Sequence, residues 1–338
     1  MRLGWVLGLV GILLHTTAVA DYSVRDDVKL FIDEMVTDHD FDRQALLSVF
    51  TDAKHKESII NAISRPAERT KKWHEYRDIF LDETRIEQGV KFWNEHAGTL
   101  SRAQQVYSVP PEIIVAILGV ETRYGKHSGG YRVLDALTTL AFDYPPRVKF
   151  FRSELREFLI LSREENKNPR KPMGSYAGAM GFGQFMPSSF RAYAVDFDED
   201  GLRDIWTNPV DAIGSVGSYF KQHGWAGGED VVLRALSVDD EIHESRANTA
   251  YKPHITVGQL KQFGSLSAPL DDSVEVALFR MQGEDDIQYW LGLHNFYVIT
   301  RYNHSRLYAL AVYQLATEIF RSRNGALATT TTPIGAGY

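Results

Sequence analysis

The stretch AILGVETRYGKHSGG, residues 116–130, decides the reading of this chain. An uncharged run, IIVAILGV from Ile113 to Val120, meets a glutamate, Glu121, and then a loop holding Gly125, Gly129 and Gly130. Pro110-Pro111 opens the run. Proline is tolerated in a first helical turn, so the segment predicts a buried helix ending near Glu121. An acid at the end of such a helix loses hydration, and buried acids are rare unless paired or used. One reading is that Glu121 pairs with Arg123 or faces solvent where the helix stops. The other is a general acid. Burial disfavours the carboxylate and raises its pKa above ~4.3. A glutamic acid kept partly protonated can protonate a leaving oxygen, an effect worth about 10²–10⁴ in rate.

Outward from this helix the chain stays helical. Val24, Val28, Phe31, Ile32 and Met35 recur at helical spacing, and Asp40 is a candidate cap for a second helix with Ala45, Leu46, Val49 and Phe50. Residues 70–107 continue in the same style. Downstream, Val133 to Phe142 predicts a helix broken by Tyr144-Pro145-Pro146. Further helices are expected over 150–164, 187–197, 209–223 and 306–322. Between about Ala226 and Phe279 glycine and proline increase, and short runs such as Val231-Val232-Leu233 and Ser273 to Phe279 suggest strands. The tail NGALATTTTPIGAGY, residues 324–338, is expected to be disordered.

The first twenty residues, MRLGWVLGLVGILLHTTAVA, read as a cleavable secretory signal: Arg2, an apolar stretch, then Ala18-Val19-Ala20. The apolar part is shorter than the ~20 residues a spanning helix needs. The 338 residues contain no cysteine, which excludes disulfides, thiol chemistry, cysteine–metal sites and a lipid-anchoring cysteine. The expected location is the periplasm, with no membrane anchor after signal cleavage. The net charge of −7 and the lack of a basic block argue against nucleic acid. An anionic substrate must therefore be recognised by local groups. No GxSxG or HExxH occurs, and the eleven histidines lack metal-ligand spacing.

Two further stretches carry chemistry. In Asp196-Phe-Asp198-Glu-Asp200-Gly201-Leu202-Arg-Asp204 the DxDxDG core matches a calcium loop. Asp196, Asp198 and Asp200 are the expected carboxylate ligands, the Leu202 carbonyl the seventh-position ligand, and Asp204 a ligand through water. Position twelve is Thr207 where bidentate glutamate belongs, so Asp211 is expected to reach back instead. The competing reading is a solvated acidic turn. The second stretch, SYAGAMGFGQFMPSSF from Ser175 to Phe190, is no nucleotide loop, since its glycine order is wrong and no GK[ST] follows. Its small residues allow close backbone approach, either to a bulky ligand or to another helix. Ser175 and Gln184 with Met180 and Phe185 offer the mix of hydrogen bonds and apolar contact that a carbohydrate needs.

VPPEIIVAILGVETRYG, LDALTTLAFDYPPR, GSYAGAMGFGQFMPSSF, NPVDAIGSVGSYFKQHGW and NFYVITRYNHS, in this order, resemble the membrane-bound lytic transglycosylase B family over residues 25–322. The resemblance implies a mainly α fold: a lysozyme-like core, an additional helical subdomain and a small β-containing insertion. The segments expected are 21–108 (helical), 109–225 (core with the calcium loop), 226–295 (β-containing) and 296–323 (a C-terminal core helix). It implies cleavage of the β-1,4 bond between N-acetylmuramic acid and N-acetylglucosamine in peptidoglycan, without water, leaving a 1,6-anhydro end. Glu121 is then the single acid and base. Ser175, Met180, Gln184, Phe185, Tyr219, Tyr302, Asn303 and Tyr308 match positions around the sugar groove, with Tyr76 and Arg147 as weaker matches. The family's arginine pair is reduced here to Arg147, because Pro146 takes the first place. Structural calcium on Asp196, Asp198, Asp200 and Asp211 is implied, with no cofactor for catalysis. The expected partners are peptidoglycan glycan strands, with complexes of cell-wall enzymes left open. The competing functions are a hydrolytic muramidase using Asp143 as second acid, and a wall-binding protein without turnover.

Overall fold

In the computed structural model of the chain, residues 21–65, 71–238 and 245–330 are described, with side chains to residue 325. The first helices are α1 (Asp26–His39), α2 (Arg43–Asp52) and α3 (Glu57–Ile63). The α1 stripe Val28, Phe31, Ile32 and Met35 is buried as its spacing predicts. The cap of α2 differs from expectation. Asp42, not Asp40, accepts the Ala45 amide at 2.7 Å. Asp40 instead ends α1 in the left-handed region, with φ 54°, a conformation aspartate tolerates better than most residues.

Next come α4 (Trp73–Phe80), α5 (Glu83–Glu95), α6 (Ala97–Tyr107) and α7 (Pro111–Thr122). A two-residue strand, β1 (Tyr131–Arg132), precedes α8 (Val133–Asp143), and α9 (Val148–Glu164) follows the proline break. The strand β2 (Met173–Gly174) pairs antiparallel with β1. Then come α10 (Pro187–Tyr193) and α11 (Pro209–Gln222).

The β-containing part holds β3 (Val232–Arg234), β4 (Ser237–Val238), β5 (Ile255–Thr256), the short helix α12 (Val257–Lys261), β6 (Leu266–Ser267), β7 (Glu275–Gln282) and β8 (Ile287–Gly292). Four strands form an antiparallel sheet in the order β3-β8-β7-β5, with Phe279 opposite Trp290, while β4 and β6 pair separately. Side chains alternate along β7. Val276 and Leu278 face a small core with Leu260 and Leu291, while Ala277, Phe279 and Met281 face the helices. The strand is thus buried on both sides, which its near-continuous apolar run requires.

The chain closes with α13 (His294–Tyr302) and α14 (Arg306–Thr330). The expected single C-terminal helix is two, separated at Asn303-His304-Ser305. The expected disorder from residue 324 is corrected as well. The helix runs on to Thr330, and Arg323 ties it to α5 by donating to Asn94 Oδ1 at 2.9 Å and lying over Trp93. Residues 331–338, like the signal stretch 1–20, lie outside the described residues.

Two helical cores divide the molecule, and the segment 21–108 does not pack as one unit. Residues from Tyr22 to Ile59 share a core with α8, α9 and α10, where Phe31 and Phe50 meet Phe142 edge to face. Residues from Trp73 to Ala103 share the other core with α7, α11, α13 and α14. Tyr302 packs against both. The seam between the cores is where the candidate site lies.

Candidate active site

Helix α7 is buried from Ile113 to Gly119, and Glu121 emerges half-buried in its last turn. The helix stops abruptly. Arg123, Tyr124 and Gly125 all have positive φ, at 52°, 62° and 86°. Two consecutive non-glycine residues there need external support. Tyr124 provides it by running back beneath the helix. Its hydroxyl donates to the Arg85 carbonyl at 2.9 Å, and a Cβ on Gly119 would lie within 2.7–2.9 Å of its ring and hydroxyl. Arg123 turns toward the start of α5. Its guanidinium donates to Asp82 at 2.8 Å and to Gln88 at 3.3 Å.

The glycine-bearing loop 174–185 lies against this helix end. Thr122 Oγ1 donates to the Phe182 carbonyl at 2.8 Å and accepts the Gly125 amide at 2.9 Å. Sequence reasoning passed over Thr122. A hydroxyl beside the acid at a helix end was the available signal. Within the loop, Met180 and Phe185 exchange backbone hydrogen bonds at 2.9 and 3.0 Å, and both side chains are buried. The glycines serve protein packing. A Cβ on Gly178 would strike Leu137, one on Gly181 the Ile205 carbonyl, and one on Gly183 the Tyr302 hydroxyl. Ser175 Oγ accepts the amides of Ala177 and Ala179. The Gln184 amide nitrogen donates to the carbonyls of Ser128 and Gly181, which leaves Oε1 as its acceptor for a ligand.

From the far end of the chain, α13 and α14 bring the tyrosines. Tyr308 donates to Glu121 Oε1 at 2.5 Å, and Tyr302 donates to the Gly183 carbonyl at 2.5 Å. Burial first, and then the charge of Glu121, pushes both phenols well above the usual tyrosine range. Both therefore stay protonated donors. Tyr219 donates to the Arg301 carbonyl and packs on Tyr302 and Phe185. Tyr76 is buried close enough to Tyr308 to add to the upward push on its phenol. Asn303 forms the turn between α13 and α14, its carbonyl accepting the Ser305 amide. Among the described residues Arg147 lies with the start of α9 and not with this cluster. It stacks over Phe150 at 4.0 Å. Asp143, the candidate second acid, is also committed elsewhere, to Tyr22, Arg25 and His55. A cavity of about 760 Å³ between α4, β3 and α14 is lined by none of these residues, and its rim charges pair off, as in Arg234–Asp286 and Arg321–Glu318.

The acidic loop sits behind the glycine loop, where the Ile205 carbonyl accepts the Phe182 amide at 2.9 Å. Asp196, Asp198 and Asp211 bring one carboxylate oxygen each within 4.8 Å of one another. Burial, and then the charges of Asp198 and Asp196, raise the fully buried Asp211, although amides of Asp204 and Phe197 oppose the shift. An all-carboxylate donor set with this repulsion fits a hard divalent cation. Asp200 and Asp204 are not in the cluster. Asp200 accepts the Leu202 amide, and Asp204 accepts the amides of Trp206 and Thr207 and the Thr207 hydroxyl. Both carboxylates fold back on the two or three residues that follow them.

Residues 23–317 match the family described as the transglycosylase SLT domain. The chain belongs to this family. It is 43% identical over 313 residues to the membrane-bound lytic murein transglycosylase B of Escherichia coli (strain K12), covering 90% of this chain and 85% of that one. The crystal structure of soluble lytic transglycosylase SltB1 from Pseudomonas aeruginosa matches with a TM-score of 0.84 and 56% identity, over 88% of this chain and 99% of that one. The structure of Escherichia coli lytic transglycosylase Slt35 in complex with calcium matches with a TM-score of 0.83 and 44% identity, over 90% and 96%. This transglycosylase SLT protein is therefore an enzyme, a lytic transglycosylase acting on peptidoglycan, with the mainly helical, lysozyme-like fold.

Proposed function

We propose that the enzyme cleaves the β-1,4 bond between N-acetylmuramic acid and N-acetylglucosamine without water, with Glu121 as acid and then base. The observation that carries this is the Tyr308 hydroxyl on Glu121 Oε1 at the end of a buried helix. Glu121 protonates the glycosidic oxygen, and the substrate's acetamido group supports the positive charge left at C1. Tyr308, held protonated, stabilises the carboxylate that remains. Glu121 then takes the proton of the muramic C6 hydroxyl, which attacks C1 and closes the 1,6-anhydro ring. The nucleophile belongs to the substrate, so effective molarity is high and no second carboxylate is needed. A hydrolytic muramidase would need one, and Asp143, engaged by Arg25, Tyr22 and His55, is unsuited to the task.

The sugar groove in this reading is lined by Ser175, Gln184, Tyr302 and Asn303, with Met180, Phe185 and Tyr219 buried behind them and Tyr76 supporting Tyr308. Asp196, Asp198 and Asp211 are the residues that would hold calcium, which would neutralise their repulsion and take no part in bond cleavage. The similarity to Slt35, whose structure is a calcium complex, supports this. We place the enzyme in the periplasm, where its substrate lies, reached through the signal stretch 1–20. The test is mass spectrometry of the soluble products from purified sacculi. Fragments one water lighter than hydrolysis products and resistant to borohydride support the reading, and reducible ends overturn it. Glu121→Gln is expected to fold normally and to lose turnover. Near-normal activity would remove Glu121 from the role.

A further inference from the structure

The basic loop Asn166–Lys171 has no part in the chemistry above, yet it borders it. A cavity of about 440 Å³ has Ser128, Lys167, Lys171, Met173, Asp204 and Trp206 in its lining. Ser128 ties this cavity to the sugar groove, because its carbonyl receives the Gln184 side-chain amide at 3.1 Å. Met173 does so too. It pairs with Arg132 in the β1–β2 ladder and leads through Gly174 into Ser175.

Two lysines share this cavity. The neighbouring guanidiniums are committed: Arg170 contacts Asp52 and Ser48, Arg191 pairs with Glu164, and Arg203 with Glu165. Lys167 and Lys171, by contrast, make no ion pair among the described residues. Lys167 Nζ lies 5.3 Å from the centre of the Trp206 ring, a contact that orients the ammonium without neutralising it. Trp206 is itself fixed, its indole N–H donating to the Met173 carbonyl at 3.2 Å. The acid in the lining, Asp204, accepts from the Trp206 and Thr207 amides and the Thr207 hydroxyl, and it feels the charge of Lys167. The cavity therefore presents two ammoniums against one carboxylate, beside an indole and an exposed methionine, in a chain of net charge −7.

Such a surface recognises a carboxylate attached to an apolar or peptide chain. Where peptidoglycan carries its peptide, the lactyl carboxyl of the muramic acid is consumed in the amide bond, so the carboxylates lie on the peptide. We infer that Lys167 and Lys171, with Trp206, bind a carboxylate-bearing segment of the substrate's peptide next to the sugar groove. The inference rests on the peptidoglycan-cleaving reading and adds to it a site for the peptide. The lysines act on affinity and do not touch the reacting atoms.

The test compares the wild-type enzyme with the double variant Lys167→Gln/Lys171→Gln. Two substrates are used: glycan strands with free peptide carboxylates, and the same strands with those carboxyl groups amidated. On free carboxylates the variant is expected to show KM raised about tenfold with kcat unchanged, the size of a lost charge-assisted contact at a partly exposed site. On amidated strands the two proteins should match. Lys167→Arg/Lys171→Arg should restore most of the KM. Equal KM for wild type and the glutamine variant on both substrates overturns the inference. So does an equal loss on both, which would mean that the lysines only hold the loop. Wild-type release of anhydro ends from amidated strands tests the glycan-cleaving reading separately, whatever the lysines do.

Discussion

At the scale of single residues, the contact between Tyr308 and Glu121 joins positions 187 apart in the chain. Tyr308→Phe removes only the hydroxyl, so the fold should survive while the developing carboxylate loses its donor. The expected result is a kcat reduced by roughly 10²-fold, by analogy with loss of one preorganised donor, with KM little changed. An unchanged kcat would show that the hydroxyl only packs. Gly119→Ala tests the support below the acid. The added methyl meets Tyr124 within van der Waals limits, and overpacking of this kind costs about 1–3 kcal/mol. A lowered midpoint in urea together with reduced kcat is expected, while a variant as stable as wild type would mean that Tyr124 can move aside. Glu121 was legible because a charge ends an apolar run, and that needs only local sequence. Tyr308 was visible only through family resemblance. Neither periodicity nor spacing couples α14 to α7 before the chain is folded. The same holds for Arg123, which neighbours Glu121 in sequence but pairs with Asp82 from another helix.

At the scale of elements, the acidic loop and the glycine loop behave as one support. The Ile205 carbonyl holds the Phe182 amide, the Phe182 carbonyl holds Thr122, and Thr122 lies next to Glu121. A cation among Asp196, Asp198 and Asp211 would bind the folded loop and not the unfolded one. At a hundredfold excess over Kd that linkage contributes about 2.7 kcal/mol. Calcium should therefore raise the melting temperature and a chelator should lower it, and in Asp198→Asn the difference should shrink sharply. Identical melting curves in calcium and chelator for the wild-type protein would count against the metal site. The DxDxDG pattern announced the loop from sequence, but not which acids converge. Asp200 and Asp204 had equal claims on paper. Both fold back on the residues just after them, while Asp211 reaches across from α11, a difference that ligand spacing alone does not reveal. The helices were legible by period, and their ends less so. Asp40 and Asp42 are both good caps in principle, and only the left-handed turn at Asp40 decides between them.

At the scale of the whole molecule, the seam between the two cores depends on the first helices staying docked on α8. Asp143, at the end of α8, holds them there by accepting from Tyr22 and Arg25 at 2.5 Å each, while His55 contacts it at 2.9 Å. Sequence composition grouped residues 21–108 as one helical unit, because nothing local distinguishes a stripe that packs on α8 from one that packs on α7. The partition follows from long-range partners such as Phe142 and Asp143. Burial alone would raise the Asp143 carboxyl, but the hydrogen bonds from Arg25, Tyr22 and His55 outweigh it and hold it below the usual aspartate range. In the unfolded chain the group titrates near ~3.9. Between the folded value and that one the unfolded chain binds more protons, so stability rises with pH across the window. The contribution of Asp143 is thus complete above the unfolded value and is lost as pH falls through the folded one. Asp143→Asn should melt well below wild type at about pH 5, and the gap should narrow as pH falls below about 3.9, where the unfolded chain takes up the proton that folded Asp143 resists. A gap that stays constant over this range would mean that Asp143 acts by shape and not by charge, and that the docking of α1 on α8 is carried by Phe31, Phe50 and Phe142 alone.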